Sequence, residues 1–163
     1  MLSSTVMTQR SLVHVDDDYD WAFLVERALL KSELAGWNYK HLASGTALMA
    51  YLAKVQAGET KSPDLLVLDI RMPAMDGLEI LEWTTRNLPG LPVIMLSSSE
   101  LLSDRLAARN LGSTAYFSKA TIFSEFMEFL RGWEEKAVAP PAAESTVRDR
   151  QPNCAQPTIR SQV

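Results

Sequence analysis

Pro63-Asp64-Leu65-Leu66-Val67-Leu68-Asp69-Ile70-Arg71-Met72-Pro73-Ala74-Met75-Asp76-Gly77 is the stretch whose reading decides the fold. Leu65 to Leu68 is a continuous apolar run, of the length and branched composition expected for a strand buried on both faces of a parallel sheet. Asp69 stands where that run ends. Open α/β sheets place their chemistry at the carboxyl ends of central strands, so position alone makes this carboxylate a candidate functional group. Met72-Pro73 then forces an extended turn, and Asp76-Gly77 supplies helix-entry chemistry. Leu78, Leu81, Thr85 and Leu88 resume at helical spacing. The stretch reads as strand, loop and helix.

The same unit repeats on either side. Upstream, Ser11 to Val15 reads as a short strand that ends in Asp16, Asp17 and Asp18. Trp21, Leu24, Val25, Ala28 and Leu29 fall on one face of a helix closed by Gly36. Trp37 to Leu42 predicts a second strand, and Ser44-Gly45 opens a helix carrying Ala47, Leu48, Tyr51, Leu52 and Val55. Downstream, Leu88-Pro89-Gly90 stops the third helix, and Pro92 to Leu96 is a fourth buried strand running into Ser97-Ser98-Ser99. Glu100 to Leu111 reads as a helix ending at Gly112, Ala115 to Ser118 as a fifth strand ended by Lys119. Thr121 is placed to cap a last helix with the wide apolar stripe Phe123, Phe126, Met127, Phe129, Leu130 and Trp133.

Five strands alternating with five helices predict an α/β, doubly wound, five-stranded parallel sheet with helices on both faces. In that layout Asp16, Asp17, Asp69, Ser97 and Lys119 converge at one edge. Residues 1–10 read as a flexible amino terminus, 11–136 as one domain, and 137–163 as a flexible tail of Ala, Pro, Ser, Gln and Arg without periodicity. The 163 residues allow one domain with a proper core but not two ordinary ones. A formal charge of −4 gives no electrostatic reason to expect nucleic acid or an anionic membrane as partner. One cysteine, Cys154, excludes an internal disulfide and any multi-cysteine metal site. With no run of eighteen apolar residues, the expectation is a cytoplasmic protein without a membrane anchor.

Three carboxylates brought together repel, and a hard divalent cation with oxygen ligands resolves the repulsion. Mg²⁺ suits such a site, because it takes one or two carboxylates and completes its shell with water and phosphate oxygens. An aspartate beside it can attack phosphorus and form an aspartyl phosphate. Lys119 and Ser97 would neutralise and orient the transferred group.

The order and spacing of Val15-Asp16-Asp17, Asp69 with Met72-Pro73 and Asp76-Gly77, Pro92 to Ser97, Gly112 with Tyr116, and Lys119 resemble the receiver domain of bacterial two-component response regulators. The resemblance spans about Ser11 to Trp133 and implies the flavodoxin-like strand order 2-1-3-4-5. It implies that Asp69 accepts a phosphoryl group from a sensor histidine kinase. Asp17 would bind Mg²⁺ directly and Asp16 chiefly through water, with Asp69 and the Arg71 backbone carbonyl as further ligands. Ser97 and Tyr116 would form the switch pair that reshapes the surface of the last two helices. The polar loop Ala57 to Ser62 and the heavy last helix are similar to stand-alone receivers paired with phytochrome-type kinases. That likeness implies a homodimer, or a surface for an unknown downstream protein, through Phe123, Phe126, Met127, Leu130 and Trp133.

Two positions depart from the family pattern. Ala120 follows Lys119 where proline is usual, and Arg71 occupies a variable position two residues after the acceptor, where its guanidinium could shield a phosphoryl group. A degenerate receiver acting as a scaffold and a magnesium-dependent phosphohydrolase are the alternative readings, the latter weakened because such enzymes usually carry a second carboxylate at the Arg71 position. His14 is expected to be a buried histidine with its polar atoms satisfied.

Overall fold

The computed structural model describes residues 9–32, 34–120 and 123–138. Five strands run β1 (Ser11–Val15), β2 (Asn38–Leu42), β3 (Leu65–Leu68), β4 (Val93–Ser97) and β5 (Ala115–Ser118). The helices between and after them are α1 (Tyr19–Lys31), α2 (Gly45–Gln56), α3 (Gly77–Asn87), α4 (Leu102–Asn110) and α5 (Phe123–Val138). The sheet order is β2-β1-β3-β4-β5 with every neighbouring pair parallel, as the alternation of elements predicts.

The strands bury both faces, so each contributes alternately to two cores. Val13, Val15, Leu66, Leu68, Val93 and Met95 pack with Leu48, Leu52, Ile80, Leu81 and Ala108 beneath α2, α3 and α4. Leu12, Leu65, Val67, Ile94 and Leu96 pack with Val25, Leu29, Phe126, Met127 and Leu130 beneath α1 and α5.

This second core corrects the expected interface stripe. Phe126 and Leu130 are 0% exposed and Met127 is 7% exposed, so these three residues belong to the sheet-facing core. Burying Phe126 alone contributes roughly 1.5–3 kcal/mol. Phe123, Phe129 and Trp133 are only partly buried against the same core. The width of the stripe comes from a helix that covers both β4 and β5, through Phe117 edge-on to Phe126 and Phe129 at 5.8 and 5.4 Å.

Element ends follow local chemistry. Pro92 has no N–H for a ladder, so β4 begins at Val93, while the Pro92 carbonyl accepts the Leu66 N–H at 3.0 Å. The fourth helix is shorter than its periodicity predicts, because its N-cap is Leu101, which has no capping side chain. By contrast Asp18, Ser44 and Asp76 cap α1, α2 and α3 through their side chains. The expected cap Thr121, the segment 1–8 and the tail beyond Val138, Cys154 included, lie outside the described residues.

Candidate metal and phosphoryl site

The ladder positions the site residues. Val15 is level with Leu68, and Leu68 with Met95, so the ends of the three central strands are aligned. Each strand then runs one residue further, hooked to its neighbour. The Asp16 N–H donates to the Leu42 carbonyl at 3.1 Å, Asp69 to Val15 at 3.0 Å and Lys119 to Ser97 at 2.8 Å. These bonds fix the backbones of three functional residues without using their side chains.

Carboxylate oxygens of Asp16, Asp17 and Asp69 come within 4.8 Å of one another. Asp16 and Asp69 are buried and Asp17 is exposed, so the group opens to solvent on one side. Asp18, the remaining acid of the run, is elsewhere: its Oδ1 accepts the Asp20 and Trp21 N–H groups and caps α1. Lys119 Nζ bridges the two buried acids, 2.6 Å from Asp16 Oδ2 and 3.0 Å from Asp69 Oδ2. Among the described residues no peptide bond is cis, and with Ala120 next to it Lys119 still reaches both carboxylates.

The two acids titrate in opposite directions although they share one lysine. Burial pushes Asp69 up, the nearby Asp16 charge adds to it, and Lys119 offsets only part. Burial also pushes Asp16 up, but hydrogen bonds from His14, Lys119 and the Asp18 N–H, with the lysine charge, together hold it below the usual carboxylate value. Lys119 is itself raised, because its pairing with Asp16 and Asp69 outweighs the cost of burial.

An all-oxygen set of three acids on an aligned sheet edge fits a hard divalent cation, which would add the charge that one lysine leaves unbalanced. The Arg71 N–H donates to Asp69 Oδ1 at 3.3 Å, which holds the acceptor carboxylate against its own loop. Gly77 sits on the other side of that loop. Its N–H donates to the Ile70 carbonyl at 2.8 Å, and a Cβ there would lie 2.0 Å from the Asp69 carbonyl oxygen. Only glycine fits at this position.

Ser97 is fully buried, and its Oγ accepts the Ser99 N–H at 3.2 Å. Tyr116 lies on the neighbouring strand, half-buried, with its hydroxyl donating to the Ser99 carbonyl at 2.6 Å. The two expected switch residues thus meet the same loop from β4 and β5.

The Arg71 side chain does not stand free. Its Nη2 is 3.1 Å from Asp104 Oδ2 on α4, and the Ser99 hydroxyl donates to the same oxygen. The Ser99 hydrogen bond chiefly, with the guanidinium, holds Asp104 below the usual carboxylate value. This contact was not legible in the sequence, where Asp104 is one acid in the first turn of a weakly patterned helix. The neighbours of Asp16 were equally hidden. His41 Nε2 donates to the Asp16 carbonyl at 2.8 Å, and His14 Nε2 lies 3.4 Å from Asp16 Oδ2.

Comparison with known proteins agrees with this geometry. The profile of the response regulator receiver domain matches residues 12–131. The probable transcriptional regulatory protein TcrX of Mycobacterium tuberculosis is 32% identical over 117 residues, which are 72% of this chain and 46% of TcrX. The DNA-binding transcriptional regulator NtrC of Salmonella typhimurium is 36% identical over 112 residues, 68% of this chain and 22% of NtrC. The chain therefore spans less than half the length of these curated relatives. Two solved structures have nearly its own extent. The phosphorylated cyanobacterial phytochrome response regulator RcpA has a TM-score of 0.67 at 27% identity, covering 78% of this chain and 92% of RcpA. The Mn²⁺-bound response regulator Rcp1 has a TM-score of 0.67 at 27% identity, covering 82% of this chain and 99% of Rcp1. The aligned strand ends, the acidic group with its bridging lysine and the matched profile lead to one conclusion: this chain belongs to the response regulator receiver domain family.

Proposed function

We propose that the chain works as a stand-alone, cytoplasmic response regulator: Asp69 accepts a phosphoryl group from a sensor histidine kinase, and the output passes through protein contacts. The observation that carries this reading is Lys119 Nζ set between Asp16 and Asp69 beside the exposed Asp17. Near-complete overlap with the phytochrome response regulators RcpA and Rcp1 supports a phytochrome-type kinase as the donor. The downstream partner is a protein, and a homodimer through the outer residues of α5, Phe123 and Trp133, fits the same likeness.

In the transfer, an Asp69 carboxylate oxygen attacks phosphorus, the phosphorus–nitrogen bond of the donor phosphohistidine breaks, and the leaving imidazole keeps the electron pair and takes a proton from water. Asp16, Asp17 and Asp69, with the Arg71 carbonyl, would hold Mg²⁺, which supplies charge neutralisation for the phosphoryl oxygens. Lys119 starts bonded to the acceptor and so needs little rearrangement to pair with the new negative charge. Burial raises the Asp69 value, but the lysine keeps the carboxylate ionised and able to attack. Ser97 would donate to the phosphoryl group, and Tyr116 would follow it inward. Arg71 would be drawn from Asp104 toward the phosphoryl group, which would loosen α4 and slow hydrolysis.

The test is intact mass after incubation with magnesium and acetyl phosphate. The expected result is a magnesium-dependent gain of one phosphoryl group, absent from Asp69→Asn. No gain under conditions that label an ordinary receiver would replace this reading with the scaffold, and continuous turnover of a small phosphomonoester would replace it with the phosphohydrolase.

A further inference from the structure

His14 occupies a position that the rest of β1 fills with aliphatic side chains. It is 0% exposed, on the central strand, level with His41 of β2 and Val67 of β3. An imidazole there loses hydration that Val or Leu would not miss, and burial accordingly lowers its pKa and keeps the ring neutral. The polar cost needs a compensating role.

The contacts determine which nitrogen carries the hydrogen. Nδ1 is 2.9 Å from the Tyr39 hydroxyl, and Nε2 is 3.4 Å from Asp16 Oδ2. Were the hydrogen on Nδ1, the Nε2 lone pair would face an ionised carboxylate in a site without water, two acceptors with nothing between them. With the hydrogen on Nε2, the ring donates toward Asp16 and accepts from Tyr39. The Tyr39 hydroxyl has one hydrogen and two acceptors in reach, Nδ1 at 2.9 Å and the Ala22 carbonyl at 3.1 Å. Ala22 lies inside α1, where its carbonyl is already served by the helix, so Tyr39 is free to serve the ring.

We infer that His14 is a positioning residue for Asp16: an Nε2–H tautomer, fixed from behind by Tyr39, aims one N–H at the buried carboxylate oxygen and sets its orientation toward the cation. This rests on the reading of Asp16 as part of a divalent-metal site. Asp16 is then restrained at both oxygens, Oδ1 by the Asp18 N–H at 2.9 Å and Oδ2 by Lys119 and His14. The arrangement also gives Asp16 a donor that remains when Lys119 turns to a phosphoryl group on Asp69. Neither His14 nor Tyr39 touches the cation or the reacting atoms.

The test compares Mg²⁺ and Mn²⁺ titrations of the full chain, followed by tryptophan fluorescence. Trp21 is a usable reporter because its ring lies 5.9 Å from Lys119 Nζ. His14→Val is expected to weaken Mg²⁺ binding about tenfold, the low end of the range for outer-shell partners of metal ligands. His14→Gln, whose amide N–H can replace Nε2–H, is expected to stay within about threefold of the parent. Urea unfolding should show His14→Val at least as stable as the parent, since an apolar side chain suits this core. Nitrogen-15 spectra of the imidazole should report hydrogen on Nε2, and Tyr39→Phe should broaden or shift that signature. Equal Mg²⁺ affinity of His14→Val and the parent, or hydrogen on Nδ1, overturns the inference and leaves the receiver reading intact. A parent chain that binds neither ion overturns both.

Discussion

Replacing Lys119 by Met tests whether one buried cation holds the site together. The side chain is 6% exposed, and it is removed from between Asp16 at 0% and Asp69 at 4%. Deleting one partner of a buried ion pair costs about 3–5 kcal/mol, because the remaining charge is uncompensated. Protonation sets a ceiling on that cost. A carboxylate with an ordinary value of 3.8 takes up a proton at pH 7 for at most about 4 kcal/mol, at about 1.4 kcal/mol per pH unit. At pH 5 the ceiling is about 1.6 kcal/mol by the same rule. Lys119→Met is therefore expected to lose about 3–4 kcal/mol at pH 7 and less than half of that at pH 5. Urea unfolding of parent and variant at the two pH values, without divalent ions, measures both losses. Adding Mg²⁺ at pH 7 should return more stability to the variant than to the parent, because the cation then meets a site one charge more negative. About 2.7 kcal/mol accompanies a hundredfold excess over Kd. A loss under about 1 kcal/mol at pH 7, or the same loss at both pH values, would refute the electrostatic reasoning and leave only the packing of the lysine stem.

Asp104→Asn probes the contact between α4 and the acceptor loop. The folded value of Asp104 lies below 3.8, so its contribution to stability is complete above pH 3.8 and is lost as pH falls through that lower value. The gap in Tm between parent and variant should therefore close below pH 3.8, and a gap that widens with acid would contradict the assignment. For α5, Phe126→Ala is expected to cost about 3–5 kcal/mol in urea unfolding. Phe123→Ala should cost under half as much while weakening any dimer measured by light scattering; equal costs would mean that the division of α5 into core and outer residues is wrong.

The sheet was legible because its signals are local. Leu65 to Leu68 and Pro92 to Leu96 are short apolar runs with a polar residue at the end, and Asp76-Gly77 and Ser44-Gly45 each pair a capping side chain with a helix start. The acidic group and Lys119 followed from the parallel topology, which brings strand ends together regardless of what lies between them. The other contacts are of a different kind. Asp104 reaches Arg71 across 33 residues of chain, and Tyr39 reaches His14 across 25. No periodicity encodes a pairing between two side chains on separate elements. The α5 stripe misled for a related reason: hydrophobic width shows that a face is covered, and says nothing about whether sheet or partner covers it.

Gly77 has a mechanical consequence. With no side chain between them, the first residue of α3 rests on the main chain of Asp69, and its N–H is tied to Ile70 at 2.8 Å. A displacement of the acceptor backbone is therefore passed to the helix with almost no compliance, since backbone against backbone cannot absorb strain by changing rotamer. Side-chain contacts elsewhere around Asp69 can yield and re-form. The α3 end of the loop therefore acts as a fixed anvil, and movement after a chemical event at Asp69 is channelled to the opposite side, toward Ser99, Asp104 and Tyr116. An engineer grafting a new output onto this scaffold would leave α3 unaltered and vary the α4 side.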